Sequence, residues 1–239
     1  ADRAGHYRFA LPKELGGKDG GNLAMAVIRE HLATKGLGLH NDLQNEHSIV
    51  GNNVGVLLMA EYGSAEQKKE WLPLMLEGKR GFAFGITEPA HGSDATHMET
   101  NAVRDGDGWK INGAKTWNTG IHKAQYDMVM ARTSGKAGDG DGITAFLTPL
   151  DAEGAKIEEF LWTFNMPTDH GTVSFKDVYV DNSAIFGEEG HGLQIVQHFF
   201  NENRIRQAAS SLGAGQYCIN ESIRYAGERK PFGKALSTN

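Results

Sequence analysis

Between about Asn22 and Gly36 the apolar residues Leu23, Ala26, Val27, Ile28 and Leu32 recur at helical spacing, and Gly36 stands where such a helix would stop. A second helical stretch is predicted from about Glu46 to Tyr62. A third starts at Ser64, where Gln67 three residues on completes a capping box, and Gly63 and Gly78 punctuate these segments. From Gly81 to Phe186 the period falls to two: Phe82, Phe84 and Ile86 alternate, as do Asn101 with Val103 and Val173 with Phe175, among Gly-rich connections that predict strands. Asp105-Gly106-Asp107-Gly108 lies between Ala102-Val103-Arg104 and Trp109-Lys110-Ile111, and predicts a hairpin because Asp and Gly tolerate positive φ. Ser134 to Gly142 is polar and Gly-rich, and reads as a mobile tip between the strands Met128–Met130 and Ile143–Leu147.

From Gly192 to about Arg229 the helical period returns through Leu193, Ile195, Val196, Phe199, Phe200, Ile205, Ala208, Leu212 and Ile219. Such a helix is roughly 50 Å long and amphipathic, so its apolar stripe calls for partner helices. The pattern predicts an α+β chain in three parts: an N-terminal helical domain over 1–80, antiparallel β structure over 81–186, and the opening of a C-terminal helical bundle over 187–239.

At 239 residues the chain can bury a sizeable core. An apolar fraction of 39% with no bilayer-length apolar run predicts a soluble protein and no membrane partner. Lys and Arg number 24 against 30 Asp and Glu, a balance that argues against a sequence-blind grip on nucleic acid. Cys218 is the single cysteine, so no intrachain disulfide forms; beside Ile219 it reads as a buried structural thiol. The chain opens Ala1-Asp2-Arg3, with no initiator Met and no leader pattern, as expected of a processed chain or one lacking its start.

Two clusters carry candidate chemistry. Phe84-Gly85-Ile86-Thr87-Glu88-Pro89-Ala90-His91-Gly92-Ser93-Asp94 joins a strand to a turn rich in hydroxyls and backbone donors, which suits a phosphate. Asn112-Gly113-Ala114-Lys115-Thr116-Trp117-Asn118-Thr119-Gly120 sets an aromatic ring two residues from a hydroxyl on one strand face, where a flat heteroaromatic ring could rest. Taken singly these signals have plainer readings: Trp117 as core, Thr87-Glu88-Pro89 as a strand end, Arg229 as a helix-terminal cation, and Asn201 with Arg204 as a surface pair at i, i+3. His91 and His97 with Asp94 match no zinc spacing, and His191 and His198, read as two turns apart on one helix face, are too distant to share an ion; no metal is expected.

Together, the Thr87-Glu88-Pro89 and Gly92-Ser93-Asp94 loop and the Trp117-Asn118-Thr119 strand resemble the acyl-CoA dehydrogenase family. Leu11 to Gly17, Tyr62 to Pro73 and Arg229-Lys230-Pro231-Phe232-Gly233 resemble further family segments in the family's order, and the likeness stops well before the family's C-terminal end. The resemblance implies that the middle domain over 81–186 is an antiparallel β-barrel, and it implies FAD as cofactor. By motif, Thr87 and the backbone around Phe84 and Ile86 hold the flavin ring, Ser93 the pyrophosphate, Trp117 the isoalloxazine face and Thr119 its N5, with Asn118 between them. Arg229 and Phe232 are then expected to reach the FAD of a neighbouring subunit in a homodimer or homotetramer, and Asn201 and Arg204, with Ser93, to line the acyl-CoA substrate path. The implied reaction is α,β-dehydrogenation of an acyl-CoA thioester, with electrons passed to an electron-transfer flavoprotein, in a bacterial cytoplasm or the mitochondrial matrix. No catalytic residue is assigned. The position of one family base is occupied by Asn203, whose amide takes no proton at neutral pH, Glu202 is turned about 100° away, and the commoner base is expected beyond Asn239. The alternatives are a flavin oxidase on the same scaffold, acting on an acyl-CoA or a nitroalkane, and a non-catalytic FAD- or acyl-CoA-binding fragment. The His91 and His97 imidazoles depart from the family's loop.

Overall fold

The computed structural model describes residues 5–37, 53–162 and 170–238. The chain divides into two compact units, one formed by Ala1–Val54 with Asn201–Asn239 and the other by Gly55–Phe200.

In the first unit helix α1 spans Gly21–Ala33 and buries Met25, Arg29 and Ala33. It packs on the middle of the long helix Gly192–Glu228. There Gly213 allows a backbone approach that any side chain would block, since a Cβ would stand 2.3 Å from the Glu30 carbonyl oxygen. Beside it the buried Arg29 donates from Nε to Ser210 Oγ at 3.1 Å.

The second unit takes in α2 (Val54–Tyr62) from its second residue, Gly55, and α3 (Ala65–Leu76). The predicted stretch 46–62 is helical over its second half, and residues 46–52 lie outside the described residues. The capping box forms: Ser64 accepts from the Gln67 backbone, and the Gln67 side chain accepts from the Ser64 backbone. Eight strands follow: β1 Phe82–Gly85, β2 Asn101–Asp105, β3 Gly108–Thr119, β4 Tyr126–Arg132, β5 Ile143–Pro149, β6 Ala155–Leu161, β7 His170–Asp181 and β8 Ile185–Phe186. They form one sheet in the order β6-β7-β3-β2-β4-β5-β8, with β1 on β4. Most pairs are antiparallel, but β1 runs parallel to β4 and β2 touches β4 in parallel. The sheet is therefore mixed, because the β2–β3 hairpin intervenes between β1 and its neighbour β4. Trp109, Ile111, Val129, Phe146, Val173 and Phe175 fill its core.

The Asp105–Gly108 turn joins β2 to β3 as the sequence predicts, with Asp105 opposite Gly108 and Gly106 at φ +59°. The inward side of β2 is Ala102, while Val103 is exposed. The connection from Ser134 to Gly142 is more restrained than a mobile tip. The Arg132 guanidinium donates to four backbone carbonyls, those of Thr96, Ser134, Asp139 and Asp141, and Gly138 N donates to Thr96 O.

Helix α4, Gly192–Glu228, has 37 residues and belongs to both units. Its first turns bury Ile195, Val196 and Phe199 in the second unit; its middle buries Arg206, Ala209 and Ser210 in the first. Beyond that Leu212, Ile219 and Ile223 are exposed. Cys218 is exposed with them, not buried, because this stretch lies past the part of α4 that α1 covers. His191 precedes the helix in a bridge to Ile143, so it shares no helix face with His198, which instead meets the Tyr62 hydroxyl through Nδ1 at 3.2 Å.

One cluster inside the sheet is polar. Lys115 on β3 has a fully buried side chain, and its Nζ donates to Glu88 Oε1 at 2.8 Å and to Ile86 O at 3.2 Å. Glu88 also accepts from the backbone N–H groups of Thr100 (2.9 Å) and Glu99 (2.6 Å). Burial pushes the Glu88 carboxyl up, yet the Lys115 ammonium and these donors outweigh it and hold it below its ordinary value; burial draws Lys115 down despite its partner. Nearby, Asp127 on β4 accepts from Asn118 Nδ2, and both residues are fully buried. Gly85 stands where a Cβ would come within 2.8 Å of the Asp127 carboxylate. The Oδ1 atoms of Asp127 and Asn118 find no hydrogen-bond partner among the described residues. Burial raises Asp127 to about 7, against the pull of Lys115 and Asn118.

Two outcomes are expected. Glu88→Gln should lower unfolding stability in urea by about 3–5 kcal/mol, since it strands a buried ammonium, and Glu88→Gln with Lys115→Met should recover part of that loss. Asp127 ionises near its ordinary 3.8 in the unfolded chain and about 7 in the fold. Over that interval the native state holds the extra proton, so this group's contribution is fully present below about pH 4 and is lost as pH rises to about 7. Asp127→Asn should flatten that part of the stability profile; an unchanged slope would refute the assignment.

Candidate functional site

The two clusters singled out in the sequence meet at one backbone hydrogen bond, from Thr116 N to Thr87 O at 2.9 Å. On the loop side, Glu88 and His91 exchange backbone bonds of 3.0 and 3.2 Å and close a tight turn over Pro89 and Ala90. Gly92 and Ser93 beyond it are exposed, and neither makes a hydrogen bond among the described residues. Asp94 then caps the short turn Ala95–His97 through Thr96 N. Both departing imidazoles are engaged: His97 Nδ1 with Asp94 at 2.8 Å, and His91 Nε2 with Glu99 at 3.3 Å.

On the strand side, the arrangement follows from two inward anchors. Lys115 and Asn118 both point into the sheet, one to Glu88 and the other to Asp127, yet they are three residues apart on a strand whose faces alternate every two. One residue must be extruded. The register records it: Lys115 lies opposite Val173 and Asn118 opposite Gly171, three residues against two, which is a β-bulge. Trp117 occupies the bulge at φ +62°, rare for a bulky residue, and its indole is 51% exposed. Alternation then resumes, so Thr119 returns to the outer face, where its Oγ1 lies 3.0 Å from His170 Nδ1. The His170 ring meets the indole edge-on, with centroids 6.2 Å apart.

Of the predicted flavin contacts, Trp117 and Thr119 thus share the face that His170 touches, and the Thr87 backbone joins the same strand one residue before Trp117. The Asn118 side chain is not on that face; it points inward to Asp127, leaving only its backbone there. Phe84 stacks its ring on Phe199 at 4.2 Å, and Ile86 is buried with its carbonyl taken by Lys115, so these two present backbone rather than side chain. The residues that build the bulge had no role in the sequence reading: Glu88 and Lys115 lie inside the two clusters without an assignment, and Asp127 lies outside both. One signal was available: Lys115 shares the parity of Trp109 and Ile111, the apolar face of β3, where an unpaired ammonium has no place.

The four remaining candidates lie in the other unit. Arg204 donates to Asn201 Oδ1 at 3.3 Å on the exposed face of α4, the plain surface pair that i, i+3 spacing allows. Asn203 accepts from Arg206 at 2.7 Å, and Glu202 accepts from Asn22 on α1 at 2.6 Å. Arg229 donates to the Tyr225 hydroxyl at 3.2 Å, and Phe232, at φ +57° on the turn Pro231–Gly233, has a fully exposed ring.

The donor set fits a flat heteroaromatic group with an anionic tail. It offers an open indole, the Thr119 hydroxyl, the half-buried Thr87 hydroxyl with no partner among the described residues, and a turn at Gly92-Ser93 with unused donors. Among the described residues no group of His, Cys, Asp or Glu side chains is placed to hold a metal ion. A separate open hollow of about 890 Å³, lined by Gln67, Trp71, Tyr126, Ser183 and others, contains none of these residues.

Comparison with known proteins agrees with this architecture. The N-terminal domain model of acyl-CoA dehydrogenases matches residues 1–79, the middle domain model residues 83–178 and the C-terminal domain model residues 190–239. The chain is 33% identical to glutaryl-CoA dehydrogenase of Desulfococcus multivorans, over 97% of its own length and 59% of that protein. It is 32% identical to the caffeyl-CoA reductase-Etf complex subunit CarC of Acetobacterium woodii, over 98% and 60%. The structure of acyl-CoA dehydrogenase from Geobacillus kaustophilus superposes with a TM-score of 0.81 at 28% identity, covering 99% of this chain and 61% of that one. The chain thus spans about 60% of the length of the relatives it matches. With all three domain models matched in order, and the bulged Trp117 strand set beside the Thr87 loop in the middle one, this chain belongs to the acyl-CoA dehydrogenase family.

Proposed function

We propose that this chain carries the FAD platform of an enzyme that dehydrogenates acyl-CoA thioesters. The observation that supports it most is the extruded Trp117, held open at a positive-φ bulge beside Thr119 and Thr87. A bulky residue kept in a strained conformation and left uncovered is a functional hypothesis in itself. Trp117 offers its face to the isoalloxazine, Thr87 and the backbone at Phe84 and Ile86 its polar edge, Thr119 a hydrogen bond at N5, and Ser93 with the Gly92 turn the pyrophosphate. FAD, when bound, supplies the hydride acceptor for the β-carbon, while the α-proton passes to a carboxylate and a trans-2-enoyl thioester is left.

That carboxylate is assigned to a segment beyond Asn239. Within the chain Asn203 is an amide occupied by Arg206, and Glu202 is held by Asn22, so neither is a free base. Asn201 and Arg204 line the substrate path in this reading, with the guanidinium as the cation for a CoA phosphate. The bare Phe232 ring and the neighbouring Arg229 suit a second copy of the chain in a homodimer or homotetramer. An electron-transfer flavoprotein is the proposed acceptor, in line with the Etf complex named for the Acetobacterium relative. No described helix is long and apolar enough to cross a membrane, and the proposed setting is a bacterial cytoplasm or the mitochondrial matrix.

The purified chain is expected to take up FAD and turn yellow, and Trp117→Ala to weaken that binding by tenfold or more, about 1.4 kcal/mol, in a fluorescence titration. A folded chain that stays colourless overturns the proposal. With the full-length gene product, octanoyl-CoA should bleach the flavin band, and slow reoxidation in air should separate this enzyme from an oxidase.

A further inference from the structure

His170 opens β7 directly opposite Thr119 in the β3–β7 register, and its half-buried ring is in contact with both side chains that define the outer face of the bulge. Its Nδ1 stands 3.0 Å from Thr119 Oγ1, and its Nε2 makes no hydrogen bond among the described residues. The tautomer of an imidazole is set by what its two nitrogens bond. Among the described residues one nitrogen is held by a hydroxyl that can donate or accept and the other has no partner, so neither tautomer is fixed by them.

The two tautomers have opposite consequences for the hydroxyl, which has one proton and two lone pairs. When the imidazole proton is on Nδ1, it is donated to Thr119 Oγ1, and the hydroxyl proton is released to point outward at an acceptor. When that proton is on Nε2, Nδ1 accepts the Thr119 proton, and the hydroxyl offers only lone pairs outward. Passing from one state to the other moves one proton between ring nitrogens through solvent and rotates one hydroxyl; no proton is gained or lost. We propose that His170 is a positioning residue that sets the direction of the outward hydrogen bond of Thr119. The inference rests on the proposed FAD reading, in which Thr119 meets N5: oxidised N5 is an acceptor and N5–H of the reduced ring is a donor. His170 therefore lets one hydroxyl match both redox states. Substituting it alters the balance between them, not merely the packing.

The test uses the FAD-loaded chain and reads the flavin midpoint potential and visible bands. His170→Phe keeps an aromatic edge against Trp117 and removes both nitrogens; His170→Asn keeps a group that can donate or accept. His170→Phe is expected to shift the two-electron reduction equilibrium on the order of tenfold, or about 30 mV. His170→Asn should restore it. In a Thr119→Val background His170→Phe should produce no further shift, since the pair acts as a unit. A shift that persists undiminished in Thr119→Val, or no shift in His170→Phe where Thr119→Val does shift the potential, overturns the role of His170 and leaves the FAD placement standing. If Thr119→Val leaves both potential and bands unchanged, the placement of N5 fails and this inference falls with it. A readout without flavin separates the cases: nitrogen NMR of the apo chain should show the His170 Nδ1 and Nε2 signals moving in opposite senses in Thr119→Val as the tautomer balance changes, and unmoved signals deny the hydrogen bond itself.

Discussion

A lysine buried to the last atom is tolerable only when its charge is met, and the contact of Lys115 with Glu88 is the constraint from which the rest of the β unit follows. Glu88 is also the acceptor for the backbone of residues 99 and 100, so three stretches of chain converge on one carboxylate, the Thr87–His91 turn, the approach to β2, and β3, while the Lys115 ammonium also holds the Ile86 carbonyl just past β1. Removing either charge leaves the other buried and uncompensated. The Thr87 loop is therefore as firmly placed as the sheet, although it is a loop at a surface. The backbone bond from Thr116 to Thr87 is a consequence of that anchoring more than a cause of it.

The bulge depends on the same anchor with a second one three residues on. Had Asn118 an apolar side chain with no call on Asp127, β3 could run in regular alternation and Trp117 would turn inward, where a tryptophan usually goes. With both polar side chains committed to the interior, the strained φ of Trp117 is the smaller cost, and it is offset by two buried hydrogen bonds. The exposed aromatic face thus arises from polar residues behind the strand, not from anything in the indole's own surroundings.

This explains what was legible in the sequence and what was not. Local signals carried through: the Asp105–Gly108 turn, the Ser64–Gln67 box, and the long helical period after Gly192 each depend on residues near one another in the chain. The motif residues at 87, 117 and 119 were recognisable as a set. The inward turn of Asn118 was not, because polar residues on strands are read as solvent-facing, and only the separate fact that Asp127 sits opposite Ala83 on the interior side of β4 reverses that. The Ser134–Gly142 connection misled for a similar reason: its own composition is that of a free tip, and the Arg132 guanidinium that fixes it lies outside it. Cys218 and Ile219 looked like core through their apolarity alone, whereas burial on α4 is decided by how far α1 extends alongside.

Helix α4 belongs to both units, and its character changes along its length in a way that bears on function. Its first turns and its middle are packed by this chain, and then Leu212, Ile219 and Ile223 stand bare. The buried polar network, the bulge and the hydroxyl cluster lie wholly within Gly55–Phe200, while Asn201, Arg204, Arg229 and Phe232 all follow it. Every hydrogen bond that shapes the proposed flavin platform is therefore internal to one unit. On this division the groups that shape the open indole, Lys115, Glu88, Asn118 and Asp127, belong to one unit and the exposed pair Asn201 and Arg204, with Arg229 and Phe232, to the other, so substitutions in the second set leave the bulge and its buried anchors intact.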